Sequence, residues 1–486
     1  MLAGIVTLGA GGWWLTSVLG GPPIERIALL PLTNTQRDTA QDFFVQGMHE
    51  DLVREFTYAG IRVINSNSVR GYAGTDTRIR DIAVELNVDG VIVSSATLEG
   101  DRIELELSLV DGVSEETLWI ESFEAGVGDI LSLYHNVTRA IAAEIEMELS
   151  SEALARLAES PPVDPEVLMA LYQARFYSQK LNEEALNTAM SFYERALGLD
   201  STSVEAWMGV AQVWGFRAQQ GLVSPEAAAR EGAAARERAT ALDPTLSDDP
   251  AALALQLTWP EWKWDEGEDA FLNAIEKDST DAQNLAYYSQ LLFYLGRPVE
   301  AMERIEQAAA MDPLNFLVLD LNAQNLIFLR RYEEAEELVT RSLDREPGNS
   351  YPLASLRTIY HLTGEFDKAI EYGVRYYRAR ADDEAAEVLE REYSQRGYAA
   401  AFEDVAELFI VRKATTDVPV SNWQVGTLYT RAGNREKALE YLQMAYDEQE
   451  PNMPSISVDP IFDYLEEEPR FLTMLSGLGL TRLEQN

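Results

Sequence analysis

The 486-residue chain has no cysteine and only three histidines, and its 39 basic residues face 81 acidic ones for a net charge of −42. Without cysteine there is no disulfide, no thiolate zinc site and no thiol nucleophile. His49, His135 and His361 lie far apart, so no pair has the i, i+4 spacing that places two metal ligands on one helical face. Ser66, Ser68, Ser94 and Ser95 sit in no Gly-x-Ser-x-Gly elbow, and carboxylate pairs such as Glu115-Glu116 carry little information in so acidic a chain. The expectation is therefore no catalytic, cofactor-binding or metal-binding residue, no cofactor, and no enzyme. The acidic balance repels phosphate backbones, which argues against nucleic acid as a partner of this chain and favours basic or neutral polypeptides. Homo-oligomerisation stays open.

Charge is wholly missing from "LAGIVTLGAGGWWLTSVLG", residues 2–20. At 1.5 Å per residue such a helix is about 28 Å long, close to the hydrocarbon thickness of a bilayer. No basic region opens it and no small-residue cleavage site closes it before Gly21-Pro22-Pro23, so an uncleaved transmembrane anchor is expected rather than a signal peptide. Flanking charges give no orientation. A span starting at residue 2 also suggests a cytoplasmic domain upstream in the gene product. Gly9-Ala10-Gly11-Gly12 follows no strand and leads to no Gly-Lys-Ser/Thr, so it is not read as a nucleotide loop.

From 24 to 150 the hydrophobic period alternates between that of strands and that of helices. "IERIALLPL" reads as a strand, 39–60 as a helix ending at Gly60, 61–66 as a strand and 78–88 as a helix. Residues 89–112 form two strands joined around Glu99-Gly100-Asp101, 116–124 another strand and 129–149 a helix. This order predicts a compact α/β domain with a mixed, partly antiparallel sheet.

Past Pro161-Pro162 and Pro165 the pattern becomes a repeat. Ala301, Ala335 and Ala369 are each thirty-four residues apart, as are Pro313 and Pro347. A period of 34 with small residues where two helices touch and proline at the end is the signature of tetratricopeptide (TPR) repeats. Units fall at 166–201, 204–244, 248–279, 282–313, 316–347, 350–381 and 419–451, with an irregular helical stretch at 384–414. The expected architecture is an N-terminal transmembrane anchor (2–20), an α/β module (24–150), an all-α TPR solenoid (161–451) and a C-terminal capping segment (452–486). The tryptophans of "WPEWKWD" are read as packing.

"IALLPLTN", "FFVQGMHEDLVREF", "IRVINSNSV", "IAVELNVDGVIVSSATLEGDRIELELSLVDG" and "LWIESFE" together resemble the α/β module related to the TolB amino-terminal domain and to FlgO. The resemblance implies a bacterial membrane protein in which this module stands between a span and a TPR array. CadC-like regulators and some receptor-type kinases and cyclases share that order, with a cytoplasmic output domain before the span. It also implies an inner-membrane, single-pass protein with its bulk in the periplasm.

First helices line the concave wall of such arrays, where an extended peptide usually binds. Register places Gln283, Gln290, Phe293 and Tyr294, then Asp320, Gln324 and Phe328, then Tyr351, Thr358 and His361 along this peptide-binding groove. The leading expectation is a membrane-tethered, non-enzymatic scaffold for a protein or peptide. The alternative is the sensory half of a signalling or transcriptional regulator whose output domain lies elsewhere.

Overall fold

The computed structural model describes residues 24–36, 41–180, 182–219, 222–223, 225–278, 281–345, 347–416 and 420–483. The span expected at 2–20 lies outside them, and among the described residues no helix is long and apolar enough to cross a membrane. The chain divides into two compact units, one of residues up to 39 with 48–162, the other of 40–47 with 163–486.

In the first unit the strands are β1 (Arg26–Leu29), β2 (Thr33–Asn34), β3 (Arg62–Val63), β4 (Gly90–Glu99), β5 (Arg102–Asp111) and β6 (Thr117–Gly126). They form one mixed sheet in the order β3-β1-β4-β5-β6, with β2 also beside β4. β1 runs parallel to β3 and β4, which requires crossovers, and helices α1 (Asp42–Tyr58) and α2 (Ile79–Leu86) provide them. β4, β5 and β6 are antiparallel neighbours joined by short turns. Alternation decides which face is inside: Ile103, Leu105, Leu107 and Leu109 of β5 are buried while Glu104 and Glu106 face water. α3 (Ile130–Glu144) adds Ile130, Val137 and Ile141 to that core. The mixed sheet and element order expected from the sequence are present.

The second unit is a solenoid of helical hairpins. Their helices are α4 (Pro165–Ser178) with α5 (Glu183–Leu199), α6 (Val204–Gln219) with α7 (Pro225–Leu242), α8 (Pro250–Thr258) with α9 (Trp264–Lys277), and α10 (Ala282–Tyr294) with α11 (Pro298–Met311). α12 (Phe316–Phe328) pairs with α13 (Tyr332–Arg345), α14 (Ser350–Leu362) with α15 (Phe366–Ala379), α16 (Asp383–Arg396) with α17 (Tyr398–Thr415), and α18 (Asn422–Ala432) with α19 (Arg435–Asp447). The stretch 384–414 is thus a further hairpin, not an irregular segment. A single residue, Gly397 at φ +88°, separates its helices, so the thirty-four-residue register is lost and the sequence pattern hides it.

Ala301, Ala335 and Ala369 are fully buried where the second helix of each hairpin meets the first, as the spacing requires. The hairpin turns use left-handed backbone at equivalent positions, Gly296 (φ +71°), Arg330 (φ +58°) and Gly364 (φ +77°). Arginine at the middle one is costlier than glycine, because its Cβ crowds the carbonyl. The tryptophans are structural: Trp259 packs edge-on against Phe271 and Tyr287, Trp262 lies 5.6 Å from the Tyr446 ring, and Trp264 Nε1 donates to the Leu478 carbonyl at 2.7 Å. Trp262 belongs to the third hairpin and Tyr446 to the eighth, so the array curls until the two meet.

Ala335→Leu is expected to destabilise the solenoid by about 1–3 kcal/mol through overpacking, measured as a lower midpoint of urea unfolding; an unchanged midpoint would mean the helices do not approach closely there.

Candidate functional site

The inner wall is built from first helices that also touch one another, α10 with α12 and α12 with α14. A ladder of polar groups crosses them at the repeat period. Gln290 Nε2 donates to Gln324 Oε1 at 2.9 Å, Gln324 Nε2 donates to Asp320 Oδ2 at 2.8 Å, and Asn325 Nδ2 donates to Ser289 Oγ at 2.9 Å. Thr358, one period after Gln324, accepts from Arg431 Nη2 at 2.9 Å. Burial pushes the Asp320 carboxyl up to about 6, against the lowering effect of hydrogen bonds from Gln324 and Ser355.

The wall is not an open groove. Of the ten residues read as groove-lining, Gln290, Phe293, Tyr294, Asp320 and Phe328 are buried. Gln283, Gln324, Thr358 and His361 are half-buried, and Tyr351 is exposed with its ring 6.5 Å from Phe316. At the Tyr294 and Arg330 end the cover is the chain's own C-terminal segment. Its 3₁₀ turn Met453–Ser457 packs on α10 and α19, its second turn Pro460–Leu465 on α14 and α18, and helix α20 (Pro469–Leu478) on α19. Residues 453–478 therefore lie against the first helices α10, α14 and α18 as well as against the last hairpin.

Glu450 positions the start of this segment. Its carboxylate accepts from the Asn422 and Trp423 backbone N–H groups at 2.7 and 2.9 Å, capping α18 as a negative charge at a helix N-terminus should. Met453, Ile456, Phe462 and Leu465 are fully buried, and Tyr294 Oη meets Ser455 Oγ at 3.4 Å. Asp463 pairs with Arg330 at 2.5 Å and also with Arg482, while Arg482 donates to the Ile456 and Asp459 carbonyls at 2.7 and 2.8 Å. Part-exposed ion pairs contribute about 0–1 kcal/mol each, whereas burying each of those four side chains contributes roughly 1.5–3 kcal/mol. Apolar burial holds the segment in place; the ion pairs set its register.

At the α14–α18 end lie residues that the repeat pattern did not single out: Arg357, Arg431, Tyr376 and Tyr398. His361 Nδ1 is 2.8 Å from Tyr398 Oη, with the two rings stacked. Burial, then the Arg431 and Arg357 charges, pushes the His361 imidazole down to about 3, so it is neutral at physiological pH. Only their positions after folding bring these groups together, although Arg357 and His361 are visibly one helical turn apart in the sequence.

In the first unit Ser160 Oγ is 2.8 Å from His135 Nδ1, Glu55 lies 3.6 Å from His135 Nε2, and Arg156 is 3.2 Å from Glu55. This resembles a serine–histidine–carboxylate set in composition. The 3.6 Å gap is too long for the hydrogen bond that would orient the imidazole as a base. Burial also lowers the His135 pKa. Among the described residues no group of three or more His, Cys, Asp or Glu side chains is arranged to hold a metal ion.

No family model matches the chain. Over 180 residues, 37% of its length, it is 29% identical to "Putative adenylate cyclase 3" of Rhizobium meliloti (strain 1021). The match spans 31% of that protein, under a third of its length. This overturns the expectation of no enzyme, since a curated relative is named as a putative adenylate cyclase. Solved structures similar to the chain include PilW, a type IV pilus biogenesis factor (TM-score 0.25, 15% identity, 64% of this chain and 100% of that one). They also include a tetratricopeptide repeat protein from Parabacteroides merdae (TM-score 0.26, 11% identity, 65% and 93%) and the human IFIT1 dimer with PPP-AAAA (0.36, 15%, 65% and 77%). Scores this low carry no functional argument.

Because the folded chain holds the Asp320 proton more tightly than the unfolded chain does, stability is expected to fall as pH rises from about 4 to about 6 and to stay lower above that. Asp320→Asn is expected to remove that slope and to stabilise the protein at pH 7 by up to about 3 kcal/mol, measured by urea unfolding at pH 4.5 and 7; a slope that survives the substitution must come from another group.

Proposed function

We propose that this chain is the sensory and interaction-bearing region of a signalling protein of the adenylate cyclase type, whose solenoid docks a short apolar segment on its inner wall. The observation that carries this reading is the seating of residues 453–465 on α10, α14 and α18. A wall that binds a segment of two 3₁₀ turns through buried Met, Ile, Phe and Leu side chains is suited to a partner segment of the same chemistry. The chain's own segment is tethered and so competes at an effective concentration on the order of millimolar. Partner binding then requires its displacement, which makes the C-terminal segment the element through which a signal is read.

The likeness to a cyclase supports the signalling context. In this reading residues 2–20 anchor the protein in a bacterial inner membrane, the TolB- and FlgO-like module is the membrane-proximal piece, and both units face the periplasm.

Removing residues 452–486 is expected to expose the wall, so that the shortened chain binds a synthetic peptide of residues 450–483 and the full chain does not. Fluorescence anisotropy of the labelled peptide reads this directly. Equal binding, or none, in both chains would remove the docking role, and circular dichroism shows whether the shortened chain has kept its helices.

A further inference from the structure

Two arginines stand close together inside the α14–α18 end of the solenoid without an anionic partner. Arg431 is 8% exposed. It donates through Nη2 to Thr358 Oγ1 at 2.9 Å and through Nη1 to the Thr427 carbonyl at 3.4 Å, both neutral acceptors, and its Nε has no partner. The Arg357 guanidinium lies 4.5 Å above the Tyr376 ring, and its Nε is likewise buried without a hydrogen bond. Among the described residues neither arginine is in an ion pair, in a chain whose acidic side chains outnumber its basic ones two to one. The carboxylate whose charge reaches Arg431 is Asp459, which is half-buried and accepts from the Ile461 N–H at 3.0 Å, capping its own 3₁₀ turn rather than bonding the guanidinium. Burial, then the Arg357 charge, pushes Arg431 down to about 10, so Arg431 remains cationic at physiological pH.

Unpaired buried charge is costly, and it persists where something else compensates it. His361, Tyr398 and Thr358 surround the pair with neutral hydrogen-bonding groups, and Arg357, Thr358, His361 and Tyr398 keep partial exposure, which leaves a way in from solvent. An extended peptide has no room, because residues 453–465 already cover the adjoining wall. We propose that Arg357 and Arg431 form a binding site for a small doubly charged oxyanion, a phosphate monoester or a dicarboxylate. Two guanidinium forks offer planar, charge-assisted donors that match such a ligand in both charge and geometry. The site lies against Asp459 and the second turn of the C-terminal segment, so its occupancy couples to how firmly that segment is held.

Isothermal titration calorimetry of the full chain with inorganic phosphate and, separately, succinate tests the site, with sodium chloride at matched ionic strength as the control. Saturable heat from either dianion but not from chloride is expected, and which of the two binds identifies the ligand class. Arg357→Gln and Arg431→Gln are each expected to weaken binding at least tenfold, while Arg378→Gln, on the outer surface, leaves it unchanged. Arg357 is half-exposed, so its variant keeps the test decisive should Arg431→Gln fail to fold. No heat beyond chloride, or equal binding by wild type and Arg357→Gln, overturns the proposal.

Discussion

A helical hairpin of about thirty residues cannot bury both of its apolar sides, and the second unit follows from that constraint. One side is covered by the next hairpin, which fully buried Ala301, Ala335 and Ala369 allow to come close. The other side faces the inner wall, where Phe293, Tyr294 and Phe328 present too much apolar surface to be left in water. The C-terminal segment resolves this by lying on the wall. The curl of the array brings Trp262 to Tyr446 of the last hairpin and Trp264 to Leu478 of the C-terminal segment.

Departures from the repeat pattern mark where the filler is gripped. Gly296 and Gly364 occupy the left-handed turn position as the backbone prefers, but Arg330 stands at the same position between them and carries its side chain to Asp463. A local conformational cost is accepted for a long-range contact. The polar ladder behaves likewise. Gln290 and Gln324 repeat one period apart and bond each other, whereas at the next step Thr358 turns to Arg431 from a hairpin two units away. Local rules break where the tertiary arrangement has another use for the residue.

These breaks converge on one end of the wall. The arginine pair, a histidine kept neutral by burial, and a half-buried aspartate that caps its own turn make a region of compensated and uncompensated charge beside the docked segment. Apolar burial supplies the strength of docking and the charges supply its sensitivity, since in a low-dielectric interior one added anion changes the local balance more than the same anion does at the surface.

Periodicity alone determined the mixed sheet of the first unit and the thirty-four-residue hairpins of the second, because strand alternation and helical spacing report local burial directly. Ile103 to Leu109 and Ala301 to Ala369 could be assigned to the core before any coordinates, as could the structural role of Trp259, Trp262 and Trp264. The hairpin at 383–415 escaped because its turn is a lone glycine and breaks the register. What only the tertiary structure decided was the fate of the inner wall. Residues 453–465 and α10 are more than 150 positions apart, and no local pattern states that one will lie on the other. Whether Phe293 faces solvent or the chain's own tail depends on how tightly the stack curls, and that curl is the sum of many small packing angles.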